Sequence, residues 1–217
     1  MLDRTPMEAI LRGDDGVRRC SWCGKAPEYV AYHDDEWGRP VVDDVRLYEK
    51  VCLEGFQSGL AWITILRKRE SFRAAFAGFD PAVVAGFGDR DVERLLGDAG
   101  IVRHRGKIEA AINNARATLA VQEDLGSLAA LVWSFEPVRR GRPKPVAWGD
   151  LPATTPESTA LAKELRRRSF RFVGPTTAYA AMQSLGVVND HFDGCASRTP
   201  CEKDRKAAAI PPLPPAP

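Results

Sequence analysis

The stretch FRFVGPTTAYAAMQSLGVVNDH, residues 170–191, is the most informative about the fold. A basic helix ends just before Gly174-Pro175 and a second helix of small residues follows, so we predict a hairpin of two helices. Backbone N–H groups at the start of the second helix are suited to binding a phosphate, with hydroxyl donors from Thr176 and Thr177. A tight turn with no ligand explains the same pattern, and both interpretations stay open.

Outward from this hairpin, apolar residues recur at helical spacing. Capping residues or Gly and Pro punctuate the segments, which are DDVRLYEKVCLEGF, DPAVVAGF, DRDVERLLGDAG, GKIEAAINNARATLA, GSLAALVWSF and TTPESTALAKELRRR. We find no alternation of period two that would indicate strands. The predicted fold is all-α, a single compact helical domain whose one long internal loop is EPVRRGRPKPVAWGDLP, residues 136–152.

The two ends of the chain differ in character from the core. We expect residues 1–18 to form a loosely ordered extension, residues 19–196 the domain itself, and residues 197–217 a flexible Pro-rich tail. The start of the sequence lacks the pattern of a secretory signal, which favours a reducing cytoplasm in which the five cysteines bind metal or stay free.

Composition bounds the class of protein. With 217 residues, 44% of them hydrophobic and 28% charged, the chain is typical of a globular protein. It has no apolar run near the roughly 18 residues of a membrane span. The net charge of +2 neither requires nor excludes a polyanion partner, but the local clusters LRKRESFR, RHRGK, RRGRPK and KELRRRSFRF are basic.

Four possible metal ligands lie near opposite ends of the core: Cys20, His33, His191 and Cys195. Two cysteines and two histidines are a set that zinc prefers at four-coordinate structural sites. Cys23 and Cys201 are spare thiols, so spacing alone leaves the set open, and unrelated buried residues remain an alternative. Four protein ligands would close the coordination sphere, which favours a structural ion over a catalytic one.

A carboxylate among apolar neighbours marks a second candidate site. Glu54 lies inside the helix of LEGFQSGLAW, and Trp62 follows two helical turns later. A helical glutamate commonly pairs with an arginine, whereas one that points into a pocket accepts hydrogen bonds from a ligand. Aromatic residues elsewhere belong to the core or to the same pocket: Trp22, Tyr29, Tyr32 and Trp37.

Several long blocks occur in an order that resembles one family. The blocks CSW, EYVAYHDDEWG, LEGFQSGLAWITILRKRESFR, DAGIVRHRGKI, FVGPTTAYAAMQSLGVVNDH and GC resemble 3-methyladenine DNA glycosylase I from about Arg19 to Cys195. The resemblance implies a helix-hairpin-helix DNA glycosylase fold whose termini are joined by one structural zinc ion. It implies an enzyme that excises 3-methyladenine from alkylated duplex DNA and releases the free base.

The resemblance also implies roles for individual residues. The zinc ligands become Cys20, His33, His191 and Cys195, which excludes Cys23. The pocket carboxylate becomes Glu54. The aromatic wall becomes Trp22, Tyr29, Tyr32 and Trp62, with Trp37 as a further candidate. Independently of the resemblance, the hairpin pattern makes Gly174, Thr176 and Thr177 the expected DNA contacts.

The expected reaction is monofunctional hydrolysis by a cytoplasmic monomer, in which water attacks the sugar of a flipped nucleotide. Asp190 is a candidate for assisting the sugar cation, although a hydrogen bond to His191 or a helix cap explains it as well. Two other functions remain open: a glycosylase of the same build acting on a bulkier adduct, and a non-catalytic zinc-stabilised DNA-binding module.

Overall fold

The computed structural model describes residues 8–139 and 142–214, and the chain is mainly helical within these ranges. The helices are α1 (Pro27–Asp35), α2 (Asp44–Gln57), α3 (Trp62–Ala75), α4 (Pro81–Val84), α5 (Asp89–Gly97), α6 (Arg105–Leu125), α7 (Leu128–Trp133), α8 (Pro156–Arg167), α9 (Pro175–Ser184) and α10 (Arg198–Ala207). Among the described residues, no helix combines the length and apolar character needed to cross a membrane. The helical architecture confirms the predicted class, with corrections at both ends.

Local capping explains where several helices begin, as predicted. The Asp43 side chain accepts a hydrogen bond from the Arg46 backbone N–H at the start of α2, at 2.9 Å. Ser127 caps α7 through the Ala130 N–H, and Thr155 caps α8. Such caps satisfy N–H groups that have no partner within the helix, which is worth about 1 kcal/mol each.

The predicted helical hairpin is present. Helix α8 ends at Arg167, and α9 begins at Pro175 with Gly174 as its N-cap residue. The two helices pack closely against each other. The first turn of α9 therefore lies next to the end of the basic helix, as the sequence indicated.

The N-terminal segment contains two short strands, which the all-α prediction omitted. Strand β1 (Ile10–Arg12) pairs antiparallel with β2 (Arg18–Cys20), so that Ile10 lies opposite Cys20. The loose extension predicted for residues 1–18 is therefore wrong for this part, while residues 1–7 lie outside the described ranges. Strands of three residues are too short to reveal an alternating pattern in a sequence.

The prediction of a flexible tail from residue 197 is wrong for residues 198–207, which form α10. Cys201 is fully buried, and the Arg205 guanidinium donates to the Glu136 carboxylate at 2.6 Å and to the Val187 carbonyl oxygen at 2.7 Å. The helix is charged and looks solvated in the sequence, because its partners lie far away along the chain. Residues 215–217 of the predicted tail lie outside the described ranges.

Helix α2 ends before Trp62, which was expected two helical turns after Glu54 on the same helix. It ends at Gln57, and α3 begins at Trp62 after a turn in which Gly59 has φ +85°. A positive φ is costly for residues with a side chain, so Gly59 permits this reversal. Glu54 and Trp62 are consequently on different helices, and their proximity is a tertiary contact.

The core forms around α2, which packs against α3, α6, α7 and α9. Its buried side chains include Leu47, Tyr48 and Phe56, and the Tyr48 hydroxyl donates to the Ala111 carbonyl oxygen of α6 at 2.8 Å. Full burial of a side chain such as Phe56 contributes about 1.5–3 kcal/mol. This packing holds α2 against α3, and Lys50 of α2 reaches Tyr32 of α1, where the candidate site lies.

Candidate functional site

One cavity of about 360 Å³ collects the predicted carboxylate and every predicted aromatic residue. Its lining comprises Trp22, Tyr29, Tyr32, Trp37, Glu54, Gln57, Trp62, Trp148, Leu151, Ala180 and Gln183. The volume is within the range of small-molecule sites, which are concave, largely apolar and supplied with a few polar groups. The cavity can therefore hold a flat ring of the size of a nucleobase.

The aromatic rings support one another. The Trp22 ring centroid lies 5.0 Å from that of Trp37 and 5.2 Å from that of Tyr29, and Tyr32 and Trp62 are 5.5 Å apart. Tilted and edge-to-face pairs at such distances are favourable by about 0.5–1.5 kcal/mol beyond their burial. The rings form a continuous wall, and we call these five residues the aromatic wall.

Glu54 is the acidic group among the residues that line this cavity, and its side chain is 5% exposed. Burial raises the pKa of Glu54, because the charged form loses its hydration, and the Lys50 ammonium acts in the opposite direction. The Lys50 Nζ lies 3.2 Å from the Glu54 Oε1, one helical turn earlier on α2. The carboxylate is thus an acceptor inside an apolar, aromatic enclosure.

Lys50 is a site residue that the sequence analysis missed. Its Nζ donates to the Tyr32 hydroxyl at 2.6 Å and lies 3.5 Å from the centroid of the Trp62 ring. A cation over a tryptophan face contributes about 0.5–2 kcal/mol, depending on its desolvation. The spacing of four residues between Lys50 and Glu54 was a usable signal, since such pairs meet on one face of a helix.

Gln57 and Gln183 also line the cavity, as does Trp148 from the loop between α7 and α8. Gln57 follows Glu54 by three residues on α2, which is again the spacing of one helical face. The sequence carries no local signal for Trp148 or Gln183, because loop and helix meet only in the folded chain.

The four predicted metal ligands form one buried group at the side of the aromatic wall. The ligand atoms of Cys20, His33, His191 and Cys195 all lie within 4.8 Å of one another. The Cys195 Sγ is 3.4 Å from the His33 Nε2 and 3.5 Å from the His191 Nδ1. Hydrogen bonding to Cys20 and to both imidazoles lowers the pKa of the Cys195 thiol, against the effect of burial, which favours its thiolate form.

The outer nitrogens of both imidazoles are held by other groups. The His33 Nδ1 lies 2.7 Å from the Asp34 carboxylate, which Arg19 also binds, and the His191 Nε2 lies 3.0 Å from the Trp37 carbonyl oxygen. Such partners orient the inner nitrogens of metal-binding histidines. The group can therefore hold a metal ion with two sulfur and two nitrogen ligands.

The spare cysteines lie outside this group. The Cys23 thiol contacts the Gly24 carbonyl oxygen, and the Cys201 thiol contacts that of Trp37. Both thiols are buried, and burial raises the pKa of each to about 11. Neither is a member of the candidate metal centre, which removes the ambiguity that spacing left open.

Asp190 lies outside the lining of the cavity. Its carboxylate accepts hydrogen bonds from the Tyr179 hydroxyl at 2.5 Å and from the Gln183 amide at 3.0 Å, and forms an ion pair with Arg142 at 2.9 Å. The partners that the sequence suggested, His191 or a helix terminus, are not those observed. Asp190 therefore links α9, through Tyr179 and Gln183, to the loop before α8, through Arg142.

At the hairpin, Gly174 is followed by an exposed Thr176 and a half-buried Thr177 in the first turn of α9. A side chain at Gly174 would extend into open space, since no atom lies within 4 Å of its Cβ position. The first N–H groups of a helix lack partners within it. This end of α9 is therefore accessible to an anionic ligand.

Comparison with known proteins identifies the family. Residues 22–199 match the family described as methyladenine glycosylase. DNA-3-methyladenine glycosylase 1 of Escherichia coli (strain K12) is 49% identical over 179 residues, which cover 82% of this chain and 96% of the relative. The DNA-3-methyladenine glycosylase of Haemophilus influenzae is 44% identical over 184 residues, covering 83% and 98%.

Solved structures agree with these relatives. A crystal structure of 3-methyladenine DNA glycosylase I superposes with a TM-score of 0.77 at 51% identity, covering 82% of this chain and 98% of the other. A structure from Staphylococcus aureus, described as showing the basis of 3-methyladenine recognition, has a TM-score of 0.77 at 34% identity and covers 83% and 96%. With its fold, its aromatic cavity and these matches, the chain belongs to the methyladenine glycosylase family.

Proposed function

We propose that this chain is a DNA-3-methyladenine glycosylase, which hydrolyses the bond between 3-methyladenine and deoxyribose in alkylated DNA and so begins base-excision repair. The observation that carries this proposal is the placement of Glu54 in one cavity with the aromatic wall. The family membership and the relatives' activity support it.

The cavity suits a flipped, cationic purine. A base must leave the helical stack before an enzyme can reach it, and a lesion that pairs poorly lowers this cost of a few kcal/mol. Methylation at N3 leaves the purine positively charged, so aromatic faces and an anionic Glu54 both favour it. The carboxylate would accept hydrogen bonds from the exocyclic amino group of adenine, whereas guanine presents an oxygen there and would be repelled.

Excision then needs little acid catalysis, because the positive charge already weakens the glycosidic bond. The oxygen of a water molecule bonds to the sugar carbon, the base leaves with the electron pair of the broken bond, and a proton passes to solvent. No amine nucleophile is required, so we propose a monofunctional enzyme that does not cleave the strand.

We further propose one structural zinc ion held by Cys20, His33, His191 and Cys195. Zinc–sulfur and zinc–nitrogen bonds of about 2.3 and 2.1 Å at tetrahedral angles separate ligand atoms by roughly 3.6 Å. Three of the sulfur–nitrogen distances in the group, at 3.4–3.6 Å, fit this spacing. Such an ion would join β2 and α1 to the turn after α9, and so join both ends of the domain.

DNA would be held outside the base cavity. We propose that the α8–α9 hairpin is of the helix-hairpin-helix type and that Gly174, Thr176 and Thr177 contact backbone phosphates of duplex DNA. We also propose a monomer. A DNA substrate and five cysteines without a disulfide fit a cytoplasmic location.

The experiment that tests the function is incubation with duplex DNA treated with a methylating agent, followed by chromatography of the released bases. We expect free 3-methyladenine, and intact strands until the abasic sites are cleaved chemically. An unmethylated duplex is the control. Release of only larger adducts, or of no base by folded protein that binds the duplex, would contradict the proposal.

A further inference from the structure

Lys50 lies behind the aromatic wall. It lines a second, water-sized cavity of about 40 Å³, which shares Tyr32 and Trp62 with the base cavity. Its side chain is 11% exposed, and its ammonium contacts Tyr32, Trp62 and Glu54. Lys50 therefore touches three residues of the base cavity without lining that cavity.

Four of the other charged groups of the second cavity form two ion pairs. The carboxylate of Glu36, the residue that follows α1, binds Arg69 of α3 at 2.6 Å, and Glu49 of α2 binds Arg73 of α3 at 2.9 Å. Arg46 of α2 lines the same cavity, and α9 contributes the neutral Ser184. Among the residues that the structure describes, Lys50 is therefore the cation that pairs with Glu54.

We propose that Lys50 is a positioning residue for base excision: it keeps the buried Glu54 ionised and supports the Trp62 ring from the side opposite the base. The ion pair uses the Oε1 of Glu54, so the second carboxylate oxygen can accept from an adenine amino group. The inference rests on the proposed role of Glu54 in base recognition.

The charges of Glu54 and Lys50 determine the direction in which the pH dependence of excision shifts when Lys50 is replaced. Burial raises the pKa of Glu54 and lowers the pKa of Lys50, and the attraction between the two charges opposes both shifts. Without the ammonium, the pKa of Glu54 rises further, and the carboxyl group becomes protonated at a higher pH. A protonated carboxyl has one acceptor oxygen fewer and no charge, so excision declines at a higher pH.

The test is the pH dependence of single-turnover excision by the full chain on methylated duplex DNA. In Lys50→Met, we expect the acidic limb of the profile to move upward by about one pH unit or more. Lys50→Arg, which keeps the charge, should retain most of the parent profile. Arg73→Met is the matched control, because it removes a cation from the same cavity that pairs with Glu49 and not with Glu54.

Two outcomes decide between this inference and its alternatives. A Lys50→Met profile that superposes on the parent profile overturns it, whatever happens to thermal stability. If Lys50→Met does not fold, Lys50→Gln takes its place in the same comparison. Glu54→Gln, tested alongside, should lose the acidic limb; if it excises the base as the parent does, the proposed role of Glu54 fails instead.

Discussion

The Nε2 of His191 lies 3.0 Å from the carbonyl oxygen of Trp37, so an imidazole of the candidate metal centre donates to the backbone of the aromatic wall. Its Nδ1 faces the thiols of Cys20 and Cys195 at 3.6 and 3.5 Å. Gly38 permits this approach, because its φ is +81° and a Cβ there would lie 3.0 Å from the ring. Binding of the proposed zinc ion would therefore be coupled to the position of the aromatic wall.

We predict about one tightly bound zinc ion per chain and a lower melting temperature after chelation, because the ligands join distant parts of the chain. Cys20→Ser should lose the metal and much of the folded yield. Cys23→Ser is the matched control, since Cys23 is buried nearby but lies outside the ligand group. Elemental analysis measures the metal, and fully folded protein without zinc would contradict the assignment.

The hairpin prediction concerns affinity for DNA of any sequence. Gly174→Asp places a negative charge where open space leaves the fold undisturbed, so affinity for all duplexes should fall. A plot of log affinity against log salt concentration should become less steep, by about the amount that one phosphate contact contributes. Gly88→Asp is the control, because it also caps a helix in open space, at α5.

Fluorescence anisotropy with labelled duplexes at several salt concentrations gives both quantities. If Gly174→Asp binds duplex DNA as tightly as Gly88→Asp does, the DNA-contacting surface lies elsewhere on the molecule. Binding of free 3-methyladenine should be equal in the two variants, because neither position lines the base cavity.

We expect Asp190→Asn to lower stability more than catalysis. The carboxylate accepts from Tyr179, Gln183 and Arg142, and losing charge-assisted hydrogen bonds costs about 1–3 kcal/mol. Thermal unfolding measures the first effect and single-turnover excision the second. A rate that drops by two decades or more in protein of unchanged stability would instead assign Asp190 a catalytic role.

How far the sequence predicts this molecule depends on the range of the interactions involved. The caps at Asp43, Ser127 and Thr155 act within three residues, so the helix starts were predictable. Strands β1 and β2 and helix α10 were not, because a three-residue strand has no visible period and α10 is buried by distant partners.

Some residues of the candidate site were likewise predictable from the sequence, and others were not. Glu54 stood out as a carboxylate among apolar neighbours, and the resemblance assigned the aromatic residues to its pocket and selected the ligand set from the cysteines and histidines. Lys50 and Trp62 lie on two helices separated by the turn at Gly59, so no local sequence pattern predicts their contact. Residue spacing alone could not exclude Cys23; the resemblance excluded it, and the grouping of residues 20, 33, 191 and 195 in the fold agrees with that exclusion.

The central claim is that Glu54 recognises the amino edge of a cationic adenine. Glu54→Gln keeps the shape and one acceptor but loses the charge and introduces a competing donor. Lys50 retains the Tyr32 hydroxyl as a partner, so the fold and zinc content should be unchanged. Glu49→Gln is the matched control, because Glu49 is a buried carboxylate on the same helix that lies outside the base cavity.

The most direct measurement is single-turnover release of 3-methyladenine from methylated duplex DNA by Glu54→Gln, alongside Glu49→Gln and the parent chain. The loss of a charge-assisted hydrogen bond of about 1.5–3 kcal/mol predicts a rate lower by about one to two decades, together with weaker binding of the free base. Excision at the parent rate by folded Glu54→Gln, or a decrease of the same size in Glu49→Gln, would contradict the account.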